Sequence, residues 1–107
     1  MAKTSPTQRT LKRLKESEDY LLVQVVEKWN AFARIRQDLW CFDILAIKKD
    51  GNTVAIQVTT KDNMNARIRK IADAESTPHL RTANWTLLVE GWKKVDNKWK
   101  SFITDVS

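Results

Sequence analysis

The stretch FDILAIKKDGNTVAIQVTTK, residues 42–61, decides the fold. Two runs rich in apolar and β-branched residues, 42–47 and 53–60, flank the turn-forming triplet Asp50-Gly51-Asn52. Runs of this length on either side of turn residues predict a β-hairpin. Side chains of the second run alternate between two faces, with Val54, Ile56 and Val58 on one and Ala55, Gln57 and Thr59 on the other.

The length of the hairpin loop determines which residue of the second strand lies opposite Asp43. Pairing Ile47 with Thr53 sets Asp43 directly opposite Gln57. Sliding the register by two residues sets Asp43 opposite Thr59, whereas a two-residue loop turns it to the other face of the sheet. We therefore predict a loop of three or five residues, because only an odd number keeps Asp43 on the face of Gln57.

The rest of the chain predicts a mixed α/β domain. Ser5 and Pro6 suit the cap and first position of a helix. Periodicity then predicts a helix at 7–17, a strand at 20–29, an irregular segment at 30–40, a helix at 63–76, a helical turn at 77–82 and strands at 85–92 and 99–106. We expect one domain over residues 1–107, with a small mixed central sheet flanked by helices and residues 1–5 frayed.

Composition and charge restrict the classes of function. With 42% hydrophobic residues, 30% charged residues, two Gly and two Pro, the chain resembles an ordinary globular domain rather than a low-complexity one. The single Cys and single His exclude an internal disulfide and His-pair or Cys-rich metal sites. The net charge of +6 favours an anionic partner such as nucleic acid.

The sequence also favours a protein that works away from membranes. Its longest apolar stretch, 21–26, is far shorter than the ~20 residues of a membrane-spanning helix. The first six residues lack the apolar core of a signal peptide. We therefore expect no membrane partner and a cytoplasmic location.

Asp43 is the first candidate site residue, because aspartate is disfavoured inside an apolar strand. In one interpretation it is a structural residue at a strand edge, where it caps a loop or pairs with Arg34 or Arg36. In the other it binds a divalent cation, since Mg²⁺ prefers carboxylate and other oxygen ligands. Gln57 interrupts the neighbouring run and would converge on the same ion.

The Asp-bearing run, the glycine turn and the segment VAIQVTTK, residues 54–61, together resemble the signature of the PD-(D/E)XK nuclease superfamily. The likeness is to its Holliday-junction-resolvase-like members and small phage nucleases, and covers about residues 20–89. It implies a restriction-endonuclease-like αβββαβ core. It also implies a Mg²⁺- or Mn²⁺-dependent DNA endonuclease for branched or structured DNA, acting as a homodimer, and a phage-encoded chain.

The resemblance assigns roles to individual residues. Asp43 stands at the position of the metal-binding Asp, and Gln57 at that of the second acid, where Mrr-like restriction enzymes also have Gln. The backbone carbonyl of Val58 would join them as a ligand. Thr59 stands where the catalytic Lys is usual, and it cannot supply a positive charge. Lys61, two residues later on the same face, is the alternative catalytic cation.

These departures leave several assignments open. The carboxylates that could complete the metal site, each otherwise a solvated surface charge, are Asp38, Glu27, Glu16 and Glu18. The cations that could hold DNA phosphates, or else form a solvated face, are Arg34, Arg36, Arg67, Arg69 and Lys70. Among the tryptophans, Trp40 and Trp99 are expected to be the more exposed. The alternatives to an active nuclease are a catalytically impaired nucleic-acid-binding protein of the same fold and a basic module that binds an acidic protein.

Overall fold

The computed structural model describes residues 5–26, 28–30, 35–37 and 42–107, with only the backbone for 28–30 and 35–37. Its helices are α1 (Pro6–Glu16), α2 (Met64–Asp73) and α3 (Thr77–Thr82), with a 3₁₀ turn at Lys61–Asn63 that leads into α2. Its strands are β1 (Tyr20–Val25), β2 (Lys28–Asn30), β3 (Ile35–Gln37), β4 (Ile44–Lys48), β5 (Thr53–Thr60), β6 (Thr86–Val95) and β7 (Lys98–Asp105).

Five of these strands form one mixed sheet in the order β1-β4-β5-β6-β7. Neighbouring strands are antiparallel except β5 and β6, which are parallel. Parallel strands require a crossover connection, and α2 and α3 provide it. Strands β2 and β3 form a separate antiparallel pair. The predicted α/β class and mixed central sheet are confirmed.

The register of the β4–β5 hairpin agrees with the odd-numbered loop predicted from the sequence. Ile47 pairs with Thr53, and the backbone N–H of Lys48 donates to the Asn52 carbonyl at 2.8 Å, so residues 49–51 form a three-residue loop. Gly51 has φ of +91°, a conformation that a side chain would strain. The register ends with Ile44 opposite Ile56, and its continuation sets Asp43 opposite Gln57.

The two faces of the sheet are covered by different helices. On one face Leu14 and Leu11 of α1 pack on a cluster from β4 and β5: Ile44, Ala46, Val54, Ile56 and Val58. On the other face α2 and α3 contribute Met64, Ile71 and Leu80, which pack on Phe42, Ala55, Leu87 and Val89. The alternation predicted for β5 is therefore confirmed, and the sheet lies between two helical layers.

Polar contacts fix α1 in position as well. The side chain of Ser5 caps the helix by accepting a hydrogen bond from the backbone N–H of Gln8, as predicted. Two contacts join α1 to β6. The indole N–H of Trp92 donates to the Thr10 hydroxyl at 2.8 Å, and Arg13 forms a two-point ion pair with the fully buried Glu90.

The ion pair with Glu90 affects the pKa of the Arg13 guanidinium. Burial opposes its positive charge, but the hydrogen bond to Glu90 and the charge of that carboxylate prevail, and the pKa of Arg13 is raised. The ion pair therefore holds the proton on the Arg13 guanidinium more firmly than water would.

The largest differences from the sequence prediction lie at element boundaries. Strand β6 continues to Val95, whereas the predicted strand ends at residue 92. The predicted strand at 20–29 ends at Val25, because its partner β4 begins at Ile44 and the last ladder bond runs from Val26 to the Asp43 carbonyl. The segment at 30–40 includes strand β3. Helix α2 ends at Asp73, where the backbone turns extended at Ala74. None of the helices in the described residues is long and apolar enough to cross a membrane.

Candidate functional site

The candidate site lies just before the first residue of β4, beside residues 57–60 of β5, which have no β4 partner in the described register. Asp43 extends the ladder by one step, donating its backbone N–H to the Ile56 carbonyl at 2.9 Å. Its side chain makes the next contact with β5, where Oδ2 accepts a hydrogen bond from the backbone N–H of Val58 at 2.7 Å. Asp43 therefore has a structural role at the edge of β5, through contacts with that strand rather than with a loop.

The same carboxylate oxygen also contacts Gln57, which lies opposite it in the register. Gln57 Nε2 donates to Asp43 Oδ2 at 3.0 Å, and the two residues are only 2% and 4% exposed, respectively. With the NH₂ group directed at Asp43, the amide oxygen Oε1 of Gln57 faces away and is buried. It has no hydrogen-bond partner in the part of the chain that the structure describes.

An unpaired buried acceptor is costly, by roughly 1–3 kcal/mol. Such a group persists when a ligand outside the chain satisfies it. Carboxylate and amide oxygens are ligands that a hard cation prefers, and a cation held by both residues requires the Gln57 amide to turn its oxygen, rather than its NH₂ group, toward Asp43. The Val58 backbone carbonyl is a third oxygen on the same strand, so the donor chemistry fits Mg²⁺ or Mn²⁺ bound through few protein ligands.

A cavity of about 430 Å³ opens above this pair. Three elements contribute its described lining residues: Ser5, Pro6 and Thr7 at the start of α1; Asp43, Gln57, Val58, Thr59 and Thr60 at the strand edge; and Arg67 and Lys70 on α2. Asp43 and Gln57 thus lie on one side of the cavity, which we call its floor, and Arg67 and Lys70 give one wall two positive charges.

The wall of the cavity follows from the periodicity of α2. Arg67 and Lys70 are three residues apart, so they lie on one face of the helix and both reach the cavity. Arg69 is exposed and does not line the cavity. The start of α1 adds the partial positive charge of a helix N-terminus. Together these groups favour an anion above the acceptor floor, and a phosphate group suits that position.

Other residues assigned to the site from the sequence lie elsewhere. The ammonium group of Lys61 lies 4.8 Å from the centroid of the Phe102 ring, and Lys61 does not line the cavity. Glu16 is exposed and 3.9 Å from Lys12, and Glu18 is also exposed. Thr59, by contrast, is buried in the lining. The structure brings together Asp43, Gln57, Val58 and Thr59 but places Lys61 outside.

Several sequence candidates fall outside what the structure describes. Glu27, Arg34, Asp38 and Trp40 are not among the described residues, and Arg36 is described only as part of the β3 backbone. Within the described ranges, no group of three or more His, Cys, Asp or Glu side chains is gathered around a common point. Asp43 is therefore the carboxylate that the described part of the chain contributes.

Two features of the site were not predicted from the sequence. The first is the separation of Arg69 from its neighbours: Arg67, Arg69 and Lys70 were all expected to hold phosphates beside a nuclease cleft or to form a solvated face, whereas only Arg67 and Lys70 line the cavity of Asp43. Their three-residue spacing would have separated them from Arg69. The contribution of the α1 N-terminus had no signal in the sequence, since it depends on how α1 packs across the sheet. Comparisons with protein-family models, curated proteins and solved structures found no match to this chain.

Proposed function

We propose that this chain is a Mg²⁺- or Mn²⁺-dependent DNA endonuclease of PD-(D/E)XK type. The observation that carries the proposal is the buried Oε1 of Gln57, which has no hydrogen-bond partner among the described residues and lies near Asp43, beside a cavity whose wall holds Arg67 and Lys70. An acceptor floor under a cationic wall suits a divalent ion bridged to a phosphodiester. The arrangement of α1, antiparallel β1-β4-β5, α2 and parallel β6 supports a restriction-endonuclease-like fold.

Each residue of the cavity has a defined task in this proposal. Asp43, the Gln57 amide oxygen and the Val58 carbonyl would hold the ion, which supplies Lewis-acid polarisation of the scissile phosphate. Arg67 and Lys70 bind the non-bridging phosphate oxygens and offset the negative charge that develops on them. The Thr59 hydroxyl both donates and accepts hydrogen bonds, so it can orient the attacking water.

The charges at the site indicate that the substrate itself would supply one of the ligands of the ion. One carboxylate leaves a divalent ion with an uncompensated unit of positive charge, and the two wall cations add to it. A DNA phosphate supplies the missing anionic oxygen, as Mg²⁺ sites with one or two carboxylates commonly require. We therefore expect the ion to bind weakly to the free protein and more tightly in the presence of DNA.

The direct test is nicking of supercoiled plasmid with Mg²⁺ or Mn²⁺ and with a chelator. The informative variant is Asp43→Asn, which keeps the shape and one acceptor but removes the charge. Its matched control is Asp73→Asn, the same change at an exposed position of α2. We expect metal-dependent nicking by the wild type and the control and none by Asp43→Asn. Equal nicking by both variants would contradict the assignment of Asp43.

Two matched variants of α2 test the role of the cavity wall. Arg67→Gln removes a charge from the cavity, whereas Arg69→Gln removes the same charge from an exposed neighbouring position. We expect only the first change to lower the nicking rate, by about 100-fold, within the range for loss of one stabilising contact to developing charge. An equal loss in both variants would mean that α2 contributes only net charge.

A catalytically impaired DNA-binding protein of the same fold is the second candidate. Two observations favour it: Asp43 Oδ2 already accepts two hydrogen bonds, and Thr59 occupies the usual place of a catalytic Lys. DNA binding in chelator with no nicking under any divalent ion would identify this function. We also propose that two copies act together, because cleavage of both strands requires two sites; light scattering with and without DNA tests this.

A further inference from the structure

The β6–β7 hairpin extends past the sheet at the same end as the cavity. Strand β6 runs parallel to β5, and their last pair is Thr60 with Trp92. Residues 93–95 of β6 continue beyond it and pair with residues 98–100 of β7. Asp96 and Asn97 close the hairpin, both with positive φ, as a tight two-residue turn requires. Three further residues on each strand project by about 10 Å.

This hairpin tip, residues 93–100, carries positive charge on both faces. Lys93 pairs with Lys100 in the register, on the face of α2. Lys94 pairs with Trp99, on the face of α1. These three lysines and Lys98 are all exposed, and none forms an ion pair with any described residue. A two-stranded projection with cations on both sides suits a partner that presents negative charge on both sides.

Arg9 joins the hairpin tip to the cavity. Its guanidinium lies 3.6 Å from the centroid of the Trp99 ring, and Trp99 is 47% exposed. A guanidinium held at a ring face in this way keeps its N–H groups available for bidentate binding of phosphate. Within the described residues Arg9 has no acidic partner. The same helix begins with Ser5 and Thr7 in the cavity lining, so Arg9 lies between the two regions.

We infer that the hairpin tip and Arg9 form a second contact surface for duplex DNA; this rests on the proposed function, since the cavity would hold the scissile phosphate of the same molecule. The B-DNA major groove is about 12 Å wide and about 8.5 Å deep and admits a two-stranded β-ribbon. The tip projects far enough to enter it. Lysines on its two faces then meet the phosphates of the two flanking strands, a pairing that a single strand does not offer.

The test measures binding of a short fluorescent duplex, and of one of its strands alone, in chelator so that no cleavage occurs. The variant Lys93→Gln/Lys94→Gln removes one charge from each face of the tip. Its control is Lys48→Gln/Lys49→Gln, the same net change in the β4–β5 hairpin at the opposite end of the sheet. Melting curves check that both variants fold as the wild type does.

We expect the tip variant to reduce the slope of log affinity against log salt by about 1.8, at about 0.9 per phosphate contact in B-DNA. When salt is raised from about 50 to about 200 mM, the fold-loss of duplex affinity should therefore be about 12 times smaller for the tip variant than for the wild type. The control should keep the wild-type slope. Equal slopes in the two variants, or a change confined to single-stranded DNA, overturn the inference while the proposed function stands. Failure of the wild type to bind duplex at all overturns both.

Discussion

Changing Gln57 to Glu tests whether the Asp43–Gln57 pair is a cation site or only a structural contact. In the wild type Gln57 Nε2 lies 3.0 Å from Asp43 Oδ2, and both side chains are buried. Gln57→Glu replaces this donor by a second carboxylate oxygen at nearly the same place. The change thus removes one hydrogen bond and adds one like-charge contact, with almost no change in volume.

The magnitude follows from the distance. Two unit charges 3.0 Å apart repel by about 5–6 kcal/mol at an effective dielectric constant near 20. Loss of a hydrogen bond to a charged group adds about 1.5–3 kcal/mol. Small movements and uptake of a proton relieve part of this sum, so we expect about 3–5 kcal/mol of destabilisation in chelator. For a domain of this size that lowers the melting temperature by on the order of 10–20 °C.

A divalent ion should reverse the effect, because the second carboxylate then becomes a ligand. An ion present at about 100 times its dissociation constant stabilises the folded state by about 2.7 kcal/mol. The assay is a thermal melt in chelator and in increasing Mg²⁺ or Mn²⁺, with calorimetry of ion binding. We expect Gln57→Glu to melt lower than wild type in chelator, to recover with the ion and to bind it more tightly than wild type does.

The matched control is Gln57→Leu, which also removes the hydrogen bond but adds no charge. Its melting temperature should fall without recovering in Mg²⁺ or Mn²⁺. If Gln57→Glu behaves in the same way, with a lower melting temperature that neither ion restores, Asp43 and Gln57 are a structural pair. The nuclease proposal would then lose its metal site.

Two further predictions concern the packing that holds the cavity elements in place. Glu90→Gln leaves the half-buried Arg13 without its charge partner and should lower the free energy of unfolding by about 2–4 kcal/mol in chemical denaturation. Arg13→Met combined with Glu90→Leu should recover most of that loss, and an unstable double variant would contradict this. Gly91→Ala would place a Cβ 2.5 Å from the Met64 side chain and 2.9 Å from the backbone of Lys61, so the 3₁₀ turn and α2 must move. We therefore expect about 1–3 kcal/mol of destabilisation and weaker nicking, and wild-type stability and nicking would refute the packing argument.

The parts of the fold that could be predicted from the sequence are those decided by local geometry. The β4–β5 hairpin is an example: strand alternation and the parity of the loop fix which residue meets Asp43, and both are properties of twenty consecutive residues. The cap at Ser5 is equally local, since a cap involves only the first turn of its helix. The metal hypothesis arose from the same local signal, an acid in an apolar strand.

The parts that could not be predicted depend on contacts between distant segments. Arg13 and Glu90 are 77 residues apart; Glu90 interrupts an apolar run as Asp43 does, but its partner is not evident until α1 is placed across the sheet. The end of β1 at Val25 is set by where β4 begins, so its own sequence gives no signal of it. The position of Lys61 also involves a distant residue, since its ammonium group lies 4.8 Å from the centroid of the Phe102 ring on β7.

The residue at position 57 links stability to the proposed chemistry. The buried side chain of Asp43 needs hydrogen-bond donors, and Gln57 supplies one while turning its own oxygen away from Asp43. A Glu there would supply no donor, so the strand edge would depend on a bound cation for its stability. With Gln57 the fold needs no ion to neutralise a second acid. The cost is one fewer negative charge at the site, and a phosphate held by Arg67 and Lys70 is the group that restores it.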